Sequence, residues 1–326
     1  MLIAVNFHYI RHSFEAPYPS IFGSTPDAFE RQLGVLGQAG EFVSAEQIRD
    51  AVRGGRALPR RSLVITFDDG LREQAELAWP ILERKGVPAI FFINTAALAE
   101  ERVLTVHKVH LLRARVSPPD LAAMLRHHAE TRDLRLPPLD AAADRIAREH
   151  YGYDDADTAR LKYLLNFLLS PDERDRLIEA CFEEVFAGDE AAMSRALYFD
   201  QTQIRRLGDC IGSHAHNHLP LGYLSDEQAA MQIEQSLDYL AALTGRRPYA
   251  LSYPYGSFES APPRVAALAR AAGIEFAFTM ERAANAALTR PLHLARFDSN
   301  DLPGGKSPAW TANELFDRAP TSNWYK

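Results

Sequence analysis

Short apolar, β-branched runs alternate with longer segments of helical period along most of this chain. The runs are residues 2–8, 62–67, 88–94, 209–213, 248–253, 275–279 and 292–297. A nearly continuous string such as Ser62-Leu63-Val64-Ile65-Thr66-Phe67 is what a parallel strand buried on both faces requires. Amphipathic patterns at 26–38, 45–53, 72–85, 226–244 and 261–272 lie between the runs. Ser225, followed by Glu227 and Gln228, marks a helix start with acid in its first turn. Gly245 and Gly273 mark helix stops. Regular alternation of β and α over this length predicts parallel strands. It also gathers their C-terminal ends on one rim, where α/β barrels carry their chemistry.

Residues 100–199 interrupt the alternation. They are rich in Leu, Ala, Arg and acidic residues at helical spacing, with turns marked by Pro118-Pro119, Pro137-Pro138 and Ser170-Pro171. The pattern predicts four to five helices inserted between the third and fourth barrel strands. The barrel itself then comprises residues 1–99 and 200–326. Because it leaves from a C-terminal strand end, the insertion is expected beside the site as a lid or selectivity element, or to serve as an oligomer interface. Near its start, His107, Lys108 and His110 are expected on a solvated helix face, with a cationic role toward a phosphate-bearing substrate as the alternative.

Composition narrows the function class. A net charge of −7 over 326 residues offers no basic footprint for nucleic acid. An apolar fraction of 47% fits a globular core. Cys181 and Cys210 lie in unlike contexts, so no disulfide is expected, and Cys210 is expected as a strand cysteine rather than a ligand. No run reaches the length of a membrane span, and the start, Met1-Leu2-Ile3-Ala4-Val5-Asn6-Phe7, has the pattern of a first strand and not of a leader. The expectation is a cytoplasmic protein, with homo-oligomerisation left open.

Two short segments carry candidate chemistry. Thr66-Phe67-Asp68-Asp69-Gly70 ends the second apolar run, so two carboxylates sit at a strand's C-terminal end. Adjacent buried carboxylates resist ionising together, and a cation on one would leave the other free as a base. Ser213-His214-Ala215-His216-Asn217-His218 follows a later strand. His214 and His218 share a face if this is a helical turn; His214 and His216 share one if it stays extended. Together the segments can supply a mononuclear hydrolytic site of mixed oxygen and nitrogen donors. That donor set suits Zn²⁺, and also Co²⁺, Ni²⁺ or Mn²⁺.

These two motifs, with the later Tyr253-Pro254-Tyr255-Gly256, resemble the polysaccharide deacetylases with a NodB homology domain, carbohydrate esterase family 4. The resemblance covers about residues 1–98 and 200–300. It implies a distorted (β/α)7 barrel and metal-dependent hydrolysis of an N-acetylated sugar or glycan precursor, in surface polysaccharide biosynthesis. It implies Asp68 as general base, Asp69, His214 and His218 as metal ligands, and the Tyr255 backbone N–H as an oxyanion donor. The alternatives are an amidohydrolase on a non-sugar C–N bond, as in the family's allantoinase-like branch, and a non-catalytic carbohydrate-binding relative. The chain departs from the pattern in several places. Ala215 stands where Ser or Thr is usual, no Arg precedes Tyr253, and the late Leu-x-His motif reads Leu294-Ala295-Arg296. The general acid is expected at His293, with His216 and His8 competing. Strand alternation lets only one of His293 and Arg296 face the interior.

Overall fold

The computed structural model describes residues 1–151 and 154–325. Eight strands form one sheet: β1 (Leu2–Phe7), β2 (Glu41–Phe42), β3 (Ser62–Phe67), β4 (Ala89–Ile93), β5 (Ile211–Ser213), β6 (Ala250–Ser252), β7 (Phe276–Phe278) and β8 (Arg296–Asp298). All pairings are parallel, in the order β7-β6-β5-β4-β3-β1-β8. A further parallel bridge joins Leu294, just before β8, to Phe278 in β7. It closes the path into a ring of seven strands, the expected distorted (β/α)7 barrel. The two-residue β2 pairs only with the start of β3, and its polar–apolar dipeptide gives no periodic signal.

Period two along the strands builds two cores. Ile3, Val5, Phe7, Leu63, Ile65 and Phe67 face outward and pack with Phe29, Leu33 and Leu36 of the helix Pro26–Ala39. Leu2, Ala4, Val64, Phe92, Ala250, Phe276, Phe278 and Leu294 form the other cluster, inside the ring. Asn6 and Thr66 continue this inner set, so the next inner position after β3 is Asp68. Helix ends follow the predicted chemistry. Ser225 closes a capping box with Gln228 on Asp226–Thr244, and Gly245 and Gly273 are left-handed, with φ of 75° and 94°.

Gly212 of β5 allows the inner packing next to the histidine segment. A Cβ there would meet the Phe92 ring at 2.3 Å and the Ala250 carbonyl oxygen at 3.1 Å. Gly212→Ala is therefore expected to lower stability by about 1–3 kcal/mol through overpacking. Urea unfolding midpoints of the two proteins check this.

A second compact unit comprises residues 103–190 together with 14–21. Among its described residues the α-helices are Thr105–Arg115, Pro118–Thr131, Ala141–His150, Ala156–Tyr163 and Pro171–Val185, and a π-helical segment, Leu164–Leu168, continues the fourth. Ser117 and Ser170 cap two of them, with proline at the first helical position as its locked φ favours. The inclusion of 14–21 is not visible in the sequence, because that stretch carries no helical period. The expected solvated face at the start of the insertion is corrected. His107 and Lys108 are buried, and the Lys108 ammonium lies between Glu179 at 2.5 Å and Glu190 at 2.8 Å. A lysine neutralised by two carboxylates is a structural ion cluster. Among the described residues no helix is long and apolar enough to cross a membrane.

Candidate active site

The C-terminal ends of β1, β3, β5 and β6 bring the singled-out residues together. Asp68 and Asp69 follow β3, and Gln74 holds that end in place. Its Nε2 donates to the carbonyls of Asp68 at 2.6 Å and of His8, just past β1, at 2.9 Å. His214 and His218 converge with Asp69: both Nε2 atoms approach its Oδ1, at 3.6 Å and 3.5 Å. The histidines meet through a loop and not across a helical face, because Ala215 and His218 adopt left-handed φ of 58° and 56°. Asp69 (φ 77°) and Tyr255 (φ 62°) do the same. Four of the six non-glycine residues described with positive φ thus belong to these segments. Each such residue costs about 1–2 kcal/mol, and strain concentrated this way marks functional loops.

The triad fits a metal ion. Asp69, His214 and His218 are all buried, and one donor atom from each lies within 4.8 Å of the other two. Tetrahedral ligands about 2.0–2.2 Å from zinc sit about 3.3–3.6 Å apart, which matches the Asp69–histidine distances. The far side of His214 is fixed as such a ligand requires. Its Nδ1 donates to the Ser252 carbonyl at 2.7 Å, so the Nε2 lone pair faces Asp69. His216 points elsewhere, with Nδ1 at Thr95 Oγ1 and Nε2 at Glu100.

Asp68 has a different partner. Arg296, fully buried, grips both its oxygens, Nη1 to Oδ1 at 2.9 Å and Nη2 to Oδ2 at 2.8 Å. The guanidinium also donates to Ser252 Oγ at 2.8 Å, Asn6 Oδ1 at 3.1 Å, Thr66 Oγ1 at 3.2 Å and the Thr279 carbonyl at 3.2 Å. It lies between the rings of Phe92 and Phe278, 5.9 and 5.7 Å from their centroids. Asn6 Nδ2 donates to Asp68 Oδ2 at 3.1 Å. Burial pushes the Asp68 carboxyl up, but the charges of Arg296 and His214 and the arginine's hydrogen bonds outweigh it. Asp68 is held well below the usual carboxylate range. The sequence placed Arg296 on the inner face only as an alternative to His293 and assigned it no partner.

The placement expected for His293 is corrected. β8 begins at Arg296, and His293 ends a 3₁₀ turn, Pro291–His293, so strand alternation does not reach it. Its Nε2 is bound to the Ala261 carbonyl at 3.0 Å, and its ring stacks on Tyr325 at 3.9 Å and on Tyr253 at 6.3 Å. Ala261 and Tyr253 belong to the outer layer with the helix Pro263–Ala271. His8 is half-buried just past β1. Tyr255 is 36% exposed, and its ring lies 4.9 Å from that of His218.

The family model described as polysaccharide deacetylase matches residues 55–130 and 200–277. The poly-beta-1,6-N-acetyl-D-glucosamine N-deacetylase of Escherichia coli (strain K12) is 33% identical over 90 residues, which are 27% of this chain and 13% of that protein. The chain therefore aligns with a small part of that relative. Among solved structures, the Streptococcus pyogenes deacetylase PplD in complex with acetate superimposes with a TM-score of 0.55 at 14% identity, covering 97% of this chain and 96% of that one. IcaB from Ammonifex degensii gives 0.53 at 16% identity, covering 91% of each chain. A de-N-acetylase from Aggregatibacter actinomycetemcomitans gives 0.54 at 16% identity, covering 94% of this chain and 97% of that one. These likenesses establish a shared fold. The segments that match the polysaccharide deacetylase model carry the Asp68-Asp69 and histidine motifs, so the likeness to that family extends over nearly half of the chain and includes the candidate site.

Proposed function

We propose that this chain hydrolyses the acetamide of an N-acetylated sugar, in a polysaccharide or its precursor, within surface polysaccharide biosynthesis. The observation that carries this reading is the buried triad Asp69, His214 and His218 beside a carboxylate, Asp68, kept ionised by Arg296. Asp69, His214 and His218 would hold the ion, with Zn²⁺ the first choice for one oxygen and two nitrogen donors. A bound divalent ion supplies Lewis acidity toward an amide carbonyl and makes water a better nucleophile near neutral pH. Asp68, anionic and oriented by two Arg296 hydrogen bonds, takes the proton from the attacking water. The Tyr255 backbone N–H, set by its left-handed conformation, is the donor for the developing oxyanion. The C–N bond then breaks, acetate leaves, and the amine needs a proton. We assign that donation to His8, which follows β1 on the same rim and whose carbonyl is tied with that of Asp68 to the Gln74 amide.

The test is acetate release from free, nucleotide-linked and oligomeric acetamido sugars by the metal-loaded protein. Release from one of these forms is expected and names the substrate class. Inertness toward every one, with turnover of a non-sugar amide, would move the site to that other chemistry.

A further inference from the structure

The loop that carries both histidines is unusually shaped, and another segment of the barrel unit holds it. Ala215 and His218 are both left-handed, and Ala215 has no side-chain hydrogen-bonding group to stabilise that shape. Residues 94–102, after β4, run alongside. Asn94 Nδ2 donates to the His214 carbonyl, and the Ala96 N–H donates to the His216 carbonyl at 3.0 Å. His216 is bound at both ring nitrogens, Nδ1 to Thr95 Oγ1 at 2.8 Å and Nε2 to Glu100 Oε1 at 3.1 Å. Arg102 spans the same contact, from Glu100 Oε2 at 2.6 Å to Asn217 Oδ1 at 2.6 Å. From the other side, Gln232 accepts the Asn217 N–H at 2.8 Å.

We propose that His216, Thr95, Glu100 and Arg102 form a positioning clamp that pre-sets His214 and His218 for metal binding. The inference rests on the metal-site reading above. Strained backbone persists only where its surroundings over-determine it, and here the side chain between the two ligands is tied at both ends. Without the tie, the left-handed residues relax and the histidines must be reordered by the ion itself, so affinity falls. His216 thus acts through its neighbours and is not itself a ligand.

The experiment is calorimetric titration of Zn²⁺ into metal-stripped protein, with Co²⁺ absorption spectra as a second readout. Wild type, His216→Ala, His216→Gln and Glu100→Ala are compared. For His216→Ala the expected result is a Kd raised about ten- to hundred-fold, the usual effect of removing a partner behind a metal ligand. Stoichiometry and the Co²⁺ band pattern stay as in wild type. His216→Gln, which keeps a side-chain hydrogen bond, recovers part of the loss. Glu100→Ala weakens binding in the same direction; its side chain is 43% exposed, so it carries the test if His216→Ala folds poorly. Zn²⁺ affinities within twofold of wild type in both alanine variants overturn the clamp. A Co²⁺ spectrum changed by His216→Ala overturns it too, because His216 is then a ligand. Wild type that binds no ion removes the metal-site reading and the clamp together.

Discussion

Asp68→Asn is expected to lower kcat by about 10²–10⁴-fold, the contribution of a positioned general base, while the protein still binds one divalent ion. The amide has the shape of the carboxylate but no usable basicity. Asp69, His214 and His218, which offer the donor atoms, are untouched. The substitution also leaves Arg296 buried without its counter-charge, so some stability is lost as well. Metal content and acetate release measured on the same folded sample separate the two effects. Full metal with near-wild-type turnover would place the base elsewhere.

Arg296→Met is expected to cost about 3–5 kcal/mol, because Asp68 is left buried with its main cation gone. Methionine suits the space between Phe92 and Phe278, so the loss reports charge more than a cavity. The pH dependence has a definite sign. In wild type, the Asp68 carboxyl is held below its unfolded value of about 3.9. That pair's stability is present above the unfolded value and is lost as pH falls through the folded one. In the variant, burial dominates and raises the folded pKa. The remaining contribution is then present below the unfolded value and is lost as pH rises. The stability gap between the two proteins should therefore be smallest in strong acid, well below pH 4, and widen steadily toward neutrality, read by urea unfolding in chelator. The acid limb of kcat/KM should move to higher pH, with turnover near neutrality down about 10²-fold from lost orientation. A pH-independent gap would mean that Arg296 serves packing alone.

The barrel was largely legible because its strands are buried on both faces and write themselves as apolar runs. The Ser225 cap and the Gly245 and Gly273 stops also declared themselves locally. The meeting of Asp69, His214 and His218 followed from the family resemblance; the residues alone left His216 as an equal partner. What stayed hidden depends on ring closure and on contacts distant in sequence. Arg296 reaches Asp68 only because β8 lies beside β1, a pairing with no local signal. Pro291 starts a 3₁₀ turn in what reads as one continuous strand, which removed His293 from the alternation that had placed it. The Glu100 to His216 tie joins residues 116 apart and has no period to betray it.

The most direct test is acetate release from an N-acetylated oligosaccharide by metal-stripped protein, before and after Zn²⁺ is added. The account predicts no release from stripped protein, recovery on adding about one equivalent of Zn²⁺, and no recovery in His214→Ala. Release that survives complete metal removal, or that Zn²⁺ restores equally in His214→Ala, would contradict it.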